Sequence, residues 1–241
     1  MKLFSLPNLF TLLNLCCGVL ASILVISGGD IYTIFVLIAI SLVADFLDGM
    51  VARALKVSSP IGKELDSLAD VISFGITPGL MMLVLLLNFN NTPNVINTGT
   101  VELSLLSLLG LIVPAFSALR LAKFNLDEDQ ATYFKGLATP SNTLLLFSLF
   151  YIYQQNNGLI NPKYDWIIIA LITICCSFLL ISNIPLFALK FKGLGWKENS
   201  YKYVFLLISL VGLITYQIYA IPFIMALYII ISLLYRKEIV K

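Results

Sequence analysis

Long apolar runs alternate with short polar breaks along the whole chain. A membrane-crossing helix needs about 20 mostly apolar residues. Eight runs approach that length: 8–26, 32–53, 67–88, 103–123, 139–155, 165–183, 202–218 and 221–235. The last abuts its neighbour through Ala220, Ile221 and Pro222. The breaks carry turn-forming residues: Gly28-Gly29-Asp30, the asparagine-rich stretch from Asn88 to Asn97, Asn156-Asn157-Gly158, and Gly193 to Gly195. The pattern predicts an all-α fold, a polytopic membrane helical bundle of about eight transmembrane helices. No linker is long enough to separate two domains and no internal repeat is visible, so residues 1–241 read as a single integral membrane domain. The opening residues superficially resemble a signal peptide. No clear small-residue cleavage site follows them, and Asn8 and Asn14 interrupt the run, so a retained first helix is expected.

Composition agrees with this reading. Hydrophobic residues make up 59% of the 241 and charged residues 12%, whereas a soluble domain is about a quarter charged. The net charge of +2 is too small to suggest a nucleic-acid partner. Histidine is absent, so acid–base chemistry near neutral pH falls to carboxylates, Lys, Tyr or Cys. Cys16-Cys17 and Cys175-Cys176 are adjacent pairs inside apolar runs. Neighbours on a helix point about 100° apart, which is not metal-site spacing, and both pairs read as buried small side chains.

Basic residues test the orientation. With eight spans and the N-terminus inside, Lys2, Arg53, Lys56, Lys63, Arg120, Lys123, Lys135, Lys190, Lys192, Lys197, Lys202, Arg236, Lys237 and Lys241 all fall on the cytoplasmic side. Only Lys163 falls outside, so 14 of 15 obey the positive-inside rule. Merging the last two spans fits worse, while removing both fits equally well. The expectation is therefore an even count, with both termini facing the cytoplasm of the cell (inner) membrane. Trp196, Tyr201 and Tyr203 read as an interfacial belt, the aromatics of the last helices as lipid-facing packing, and Asp127-Glu128-Asp129 as a solvated loop.

Four carboxylates do not fit a bland bundle. Asp45 and Asp48 end the second apolar run, and Asp66 and Asp70 open the third. An ionised carboxylate at mid-membrane costs roughly 2.5–3.5 kcal/mol on insertion scales. Asp45, Asp48, Gly49 and Ala52 fall on one helical face, and Gly62, Asp66, Asp70, Ser73 and Thr77 on another. The short connection through Ser58, Ser59, Pro60 and Ile61 could set the two faces opposite each other. Lys63 and Arg53 are too few and too peripheral to balance four carboxylates. A cluster of oxygen ligands suits Mg²⁺ or Mn²⁺. Gly49 and Gly62 leave room for a ligand near backbone, and Arg53 lies one turn beyond Gly49, where it could meet a phosphate. A helix cap, a buried ion pair, and an ion or solute transport pathway are the competing readings.

In order, these residues read Asp45-x₂-Asp48-Gly49-x₂-Ala52-Arg53-x₈-Gly62-x₃-Asp66-x₃-Asp70. This resembles the signature of the CDP-alcohol phosphotransferases at every fixed position and every gap. The resemblance implies a two-metal site in a cytoplasm-facing cavity of a helical bundle, usually homodimeric. It implies that Asp45, Asp48, Asp66 and Asp70 ligate two Mg²⁺ or Mn²⁺ ions and that Asp70 is also the general base. Gly49, Ala52, Arg53 and Gly62 would lie against the cytidine diphosphate of the donor, with Asn8 and Thr11 lining the same cavity. A catalytic core of about 1–155 would precede additional transmembrane helices at about 160–236.

Three further stretches resemble the phosphatidylserine-making branch: Leu65 to Gly75 followed by Pro78, Leu119 to Asn125, and Phe134 to Pro140. In the last, Ala138 stands where proline is more usual. The implied reaction moves a phosphatidyl group from CDP-diacylglycerol to the hydroxyl of L-serine. The same chemistry on glycerol phosphate or inositol phosphate is the alternative, although a phosphorylated acceptor would need a denser basic pocket. Arg120, Lys123 and Lys135 are the acceptor or phosphate candidates, or simply positive-inside anchors. Ser73, Asn125 and Asn142 are further polar candidates.

Overall fold

A computed structural model describes residues 4–57, 59–88, 104–126, 133–161, 163–189 and 195–239. The acidic run 127–129 and most of the asparagine-rich stretch lie outside them, as do Lys2, Lys190, Lys192 and Lys241 and the side chains of Trp196, Lys197 and Lys237. The helices are α1 (Leu6–Ser27), α2 (Ile31–Leu55), α3 (Pro60–Val71), a π-helical turn (Ile72–Ile76), α4 (Thr77–Asn88), a 3₁₀ turn (Ser107–Leu111), α5 (Ile112–Leu126), α6 (Thr139–Asn156), α7 (Asp165–Ile181), α8 (Trp196–Tyr216), a second 3₁₀ turn (Gln217–Ala220), α9 (Ile221–Leu234) and α10 (Arg236–Ile239). Strands β1 (Tyr133–Lys135) and β2 (Pro185–Phe187) form a small antiparallel pair.

Local signals set the helix ends. Pro7 sits in the first turn of α1, and Gly28 closes that helix in the left-handed conformation at φ 68°. Asp30 caps α2 by accepting from the Thr33 N–H at 2.8 Å, and that bond holds its carboxyl below the usual carboxylate range. The cap is therefore present above the ordinary carboxylate pKa and is lost as pH falls through the lowered one. Ser59 accepts from the Gly62 N–H at 3.1 Å, with Pro60 in the first turn. The third helix thus starts seven residues before the apolar run that marks it. Its first turns are amphipathic, and hydropathy alone misses them. Asp66 and Asp70 lie in its second and third turns.

The rods alternate in direction. Tyr32, at the start of α2, Tyr151, near the end of α6, and Tyr219, between α8 and α9, form an edge-to-face chain with centroids 6.3 and 6.1 Å apart at one end of the bundle. At the other end, Lys123 of α5 meets Ile181 and Asn183 after α7. There too Leu137, just before α6, donates to Leu179 of α7. Among the described residues, five helical runs are long and apolar enough to cross a membrane: Leu6–Ser27, Ile31–Leu55, Pro60–Leu87, Ser107–Leu126 and Asn199–Leu234. The 36-residue run Asn199–Leu234 is not one rod. Tyr201 and Tyr235 stack with centroids 4.8 Å apart, whereas a straight helix would separate them by about 50 Å. Gln217, at φ 50° and ψ −130°, turns the chain back. Counting α3 through α4 and the 3₁₀ turn plus α5 as single rods, the described residues make about eight traverses.

The main core joins α1, α2, α4, α6 and α7 around Ala21, Ile34, Met81, Leu85, Phe147 and Ile169. A second, aromatic core surrounds Phe187, where Tyr201, Phe205 and Tyr228 pack edge-on or tilted. Tyr201 therefore turns inward instead of joining an interfacial belt, as do Phe205 and Tyr228, while Phe223 stays on the outside. Cys17 and Cys176 are buried, but Cys16 and Cys175 face outward; all four are free thiols.

α1 and α3 run side by side in the same direction and are joined by polar contacts. Asn14 donates to Asp70 at 3.3 Å, Ser73 donates to the Asn14 carbonyl at 3.0 Å, and Thr77 donates to the Gly18 carbonyl at 3.1 Å. Ser22 meets the Thr77 hydroxyl at 2.9 Å. The π turn widens α3 here. Thr143 of α6 donates to the Phe74 carbonyl within that turn at 3.1 Å. Gly18 permits the close approach: a Cβ there would lie 2.2 Å from the Ser73 hydroxyl oxygen and 2.7 Å from its Cα. Overpacking of this kind costs about 1–3 kcal/mol. Gly18→Ala is accordingly expected to melt several degrees below wild type in detergent, as followed by scanning fluorimetry.

Candidate active site

The end of the bundle where α1 begins, α2 ends and α3 begins carries the carboxylates. Asp45 and Asp48 come from the last turns of α2, and Asp66 and Asp70 from α3. α2 and α3 pack mainly through α1, which lies along both. The two acidic faces meet at the edge of α1, touching each other through the carboxylates themselves. One carboxylate oxygen each from Asp45, Asp48 and Asp66 lies within 4.8 Å of the others. Asp70 stands outside that triad but remains within hydrogen-bonding reach of Asp45.

Neighbouring side chains hold these groups in different ways. The Thr11 hydroxyl donates to Asp48 Oδ2 at 2.6 Å. Asn14 donates to Asp70 Oδ1. Ser41 of α2 donates to the side-chain oxygen of Asn14. Asp66 Oδ1 is buried and has no hydrogen-bond partner. Arg120, buried on α5 and stacked 4.9 Å from the Phe124 ring centre, feels the charges of Asp70 and Asp45. Lys63 and Arg53 alone are too few and too peripheral to balance the carboxylates; Arg120 adds a buried charge on the deep side of the cluster, while Asp48 and Asp66 line the open side.

That open side is a cavity of ≈ 220 Å³ between α1, α2 and α3. Asn8, Thr11, Gly49, Ala52, Gly62 and Lys63 line it together with Asp48 and Asp66. Arg53 is exposed at the rim, where its guanidinium would lie 3.5 Å from a Cβ added at Gly49. Nothing else would touch that Cβ, so the fold itself does not demand glycine at 49. A Cβ at Gly62 would come within 3.2 Å of both Ser59 and Asn8, a tighter position.

Other sequence candidates lie elsewhere. Lys123 donates to Asn183 Oδ1 at 2.6 Å and so ties α5 to the end of α7. Lys135 lies in β1, paired with Pro185. Ser73 is committed to the Asn14 carbonyl. Asn125 donates to Ser67 at 2.7 Å and accepts Lys63 on its carbonyl at 3.0 Å, which braces α5 against α3. Asn142 is buried on α6, its side-chain nitrogen and oxygen both without partners. Sequence reasoning registered Asn14 only as an interruption of an apolar run and passed over Ser41. A lone Asn or Ser in such a run announces no partner.

A polytopic helical membrane protein with a carboxylate cluster under a polar cavity is the class that fold and site define. Residues 4–181 match the family model described as CDP-alcohol phosphatidyltransferase, and the chain belongs to that family. Among similar proteins is the CDP-diacylglycerol–serine O-phosphatidyltransferase of Bacillus subtilis, 31% identical over 183 residues, covering 74% of this chain and 88% of that protein. The enzyme of the same name from Methanocaldococcus jannaschii is 32% identical over 183 residues, covering 76% and 74%. That of Helicobacter pylori strain 26695 is 29% identical over 213 residues, covering 87% and 82%.

The triad fits a divalent cation on its own terms. Three carboxylate oxygens converge, one oxygen of Asp66 is buried without a donor, and the donor set is all oxygen, as hard cations require. Mn²⁺ titrated into chelator-stripped protein is expected to bind, and Asp66→Asn is expected to weaken that binding by about tenfold or more, at least the loss seen when only an outer-shell partner of a metal ligand is removed. Equal affinity of the two proteins, measured by calorimetry, would remove Asp66 from the metal site.

Proposed function

We propose that the chain transfers the phosphatidyl group from CDP-diacylglycerol to the hydroxyl of L-serine, giving phosphatidylserine and CMP. The observation that carries this is the cavity. Its lining joins the signature glycines to two of the cluster carboxylates, at one end of a membrane bundle whose relatives bear that activity in their names. We place the site and both termini at the cytoplasmic face of the cell membrane. We take the assembly to be a homodimer among lipids, with a core of about 1–155 and further helices at about 160–236. The family match itself runs on through α7.

In this reading Asn8, Thr11, Gly49, Ala52 and Gly62 receive the cytidine diphosphate, and Arg53 and Lys63 meet its charge from the rim and wall. Asp45, Asp48, Asp66 and Asp70 would hold two Mg²⁺ or Mn²⁺ ions. When bound, such ions neutralise the diphosphate and the charge that grows on departing CMP. Asp70 accepts the proton of the serine hydroxyl as its oxygen bonds to the phosphorus nearest the lipid. The bond from that phosphorus to the bridging oxygen breaks, and the oxygen leaves with CMP. The base works by position, because an ordinary carboxylate with a pKa near 4 is weak.

Acceptor choice follows from cation supply. Lys123 is engaged by Asn183 and Lys135 lies in the strand pair, so Arg120 is the basic acceptor candidate that faces the cluster. One guanidinium suits one carboxylate of an amino acid. A phosphorylated alcohol would call for more.

The deciding experiment supplies purified protein with CDP-diacylglycerol, Mg²⁺ or Mn²⁺, and a panel of alcohols. CMP release with serine alone supports the assignment. Release with glycerol phosphate or inositol phosphate instead would overturn the acceptor, and no release with any alcohol would overturn the enzyme reading. Asp70→Asn is expected to lower turnover by about 100-fold or more, the usual scale for a lost general base, while retaining substantial donor binding. Gly49→Ala should melt like wild type yet bind CDP-diacylglycerol about tenfold more weakly, since its new methyl enters the cavity and not the core.

A further inference from the structure

We propose that Asn14 and Ser41 act as a positioning pair that sets the orientation of the Asp70 carboxylate. The idea rests on Asp70 being the base, as argued above.

Asn14 is fully buried on α1, between the two acidic helices. Its amide has two unlike ends, and each has one partner. The Ser41 hydroxyl donates to the oxygen, and the nitrogen donates to Asp70 Oδ1 at 3.3 Å. The opposite orientation would press a carbonyl oxygen against a carboxylate, so Asp70 selects the nitrogen end, and Ser41, donating to the other end, anchors the amide in that orientation.

The backbone under Asn14 is fixed as well. Its carbonyl accepts from Ser73 at 3.0 Å, three residues beyond Asp70 on the same rod. One turn further along α1, Gly18 lies against Ser73 with no space for a side chain. The distance from α1 to the Asp70 turn is therefore set by packing and not by the Asn14–Asp70 bond. Asn14 is left to decide how the carboxyl group is rotated. One Asp70 oxygen is taken by the amide. The carboxyl also lies within hydrogen-bonding reach of Asp45 and in the field of Arg120. A carboxylate with one edge tethered presents the other edge in a fixed direction, as a positioned base requires.

Three variants and two readouts test this. Asn14→Ala removes both amide bonds, and Ser41→Ala removes the contact to the amide oxygen together with the hydroxyl's 3.2 Å contact to the Asn14 backbone carbonyl. Asn14→Asp keeps the shape and the acceptor for Ser41 but replaces the donor nitrogen with oxygen. In detergent with Mn²⁺, Asn14→Ala is expected to lose about 30-fold in kcat, with KM for the acceptor and Kd for CDP-diacylglycerol within about threefold of wild type. Ser41→Ala should lose about fivefold, and the double alanine variant should match Asn14→Ala within about twofold, because Ser41 acts only through Asn14. Asn14→Asp should lose at least as much as Asn14→Ala.

A purely structural role would instead lower the melting temperature and the amount of donor bound per protein, leaving kcat per folded site unchanged. Multiplying effects of the two alanine changes, or wild-type turnover in Asn14→Asp, would overturn the proposal. If Asn14→Ala does not fold, Asn14→Asp and Ser41→Ala carry the same decision. The assay uses whichever alcohol the wild type accepts, so a wrong acceptor assignment and a wrong role for Asn14 give different results.

Discussion

Mutual repulsion of four neighbouring carboxylates is the constraint around which this molecule is built. In a medium of low dielectric, two like charges a few ångströms apart cost several kcal/mol even after generous screening. The chain brings Asp45, Asp48 and Asp66 within 4.8 Å all the same and sets Asp70 beside Asp45. It offsets the cost in two ways. Arg120 supplies a buried positive charge on the deep side. Thr11 and Asn14 donate hydrogen bonds to individual oxygens. The remaining demand is unmet within the chain, as the unpartnered oxygen of Asp66 shows. The arrangement is poised for a ligand because it is incompletely satisfied without one.

α1 is the element that makes this possible. It carries no charge along its described length, yet it touches both acidic helices and provides the polar groups between them. Asn8 and Thr11 face the cavity, Asn14 reaches the deepest carboxylate, and Gly18 lets the rods close up on Ser73. The same helix sets depth and spacing for both halves of the cluster. A polar side chain buried among hydrocarbon persists when it has a partner, and each of these except Gly18 has one or faces the open cavity.

Much of this was legible in the residues alone. Apolar runs delimit the rods, and the spacing of Asp45, Asp48, Asp66 and Asp70 brings out the two acidic faces, because helical periodicity is a local property. Contacts between helices were not legible. Nothing in the sequence states that α1 lies between α2 and α3, that Lys123 turns toward Asn183, or that Tyr201 folds inward onto Phe187. The start of α3 at Pro60 was announced by Ser59 and Pro60, but hydropathy outweighed that signal. Asn14 and Ser41 were invisible as a pair because 27 residues separate them and only packing joins them.

The hairpin of α8 and α9 has a different relation to the rest. α8 packs chiefly on its own return helix and the turn between them, and the pair meets the body through the aromatic cluster at Phe187 and contacts with α6. Its outer faces are broad and oily, and the family model ends at residue 181, before the hairpin begins, although the similarity to the Helicobacter pylori protein covers 87% of the chain and so runs on into α8. The described residues of this hairpin line none of the cavity beside the carboxylates. A change in the length or oiliness of that hairpin would therefore alter how the bundle sits in membranes of differing thickness while leaving the cavity walls in place.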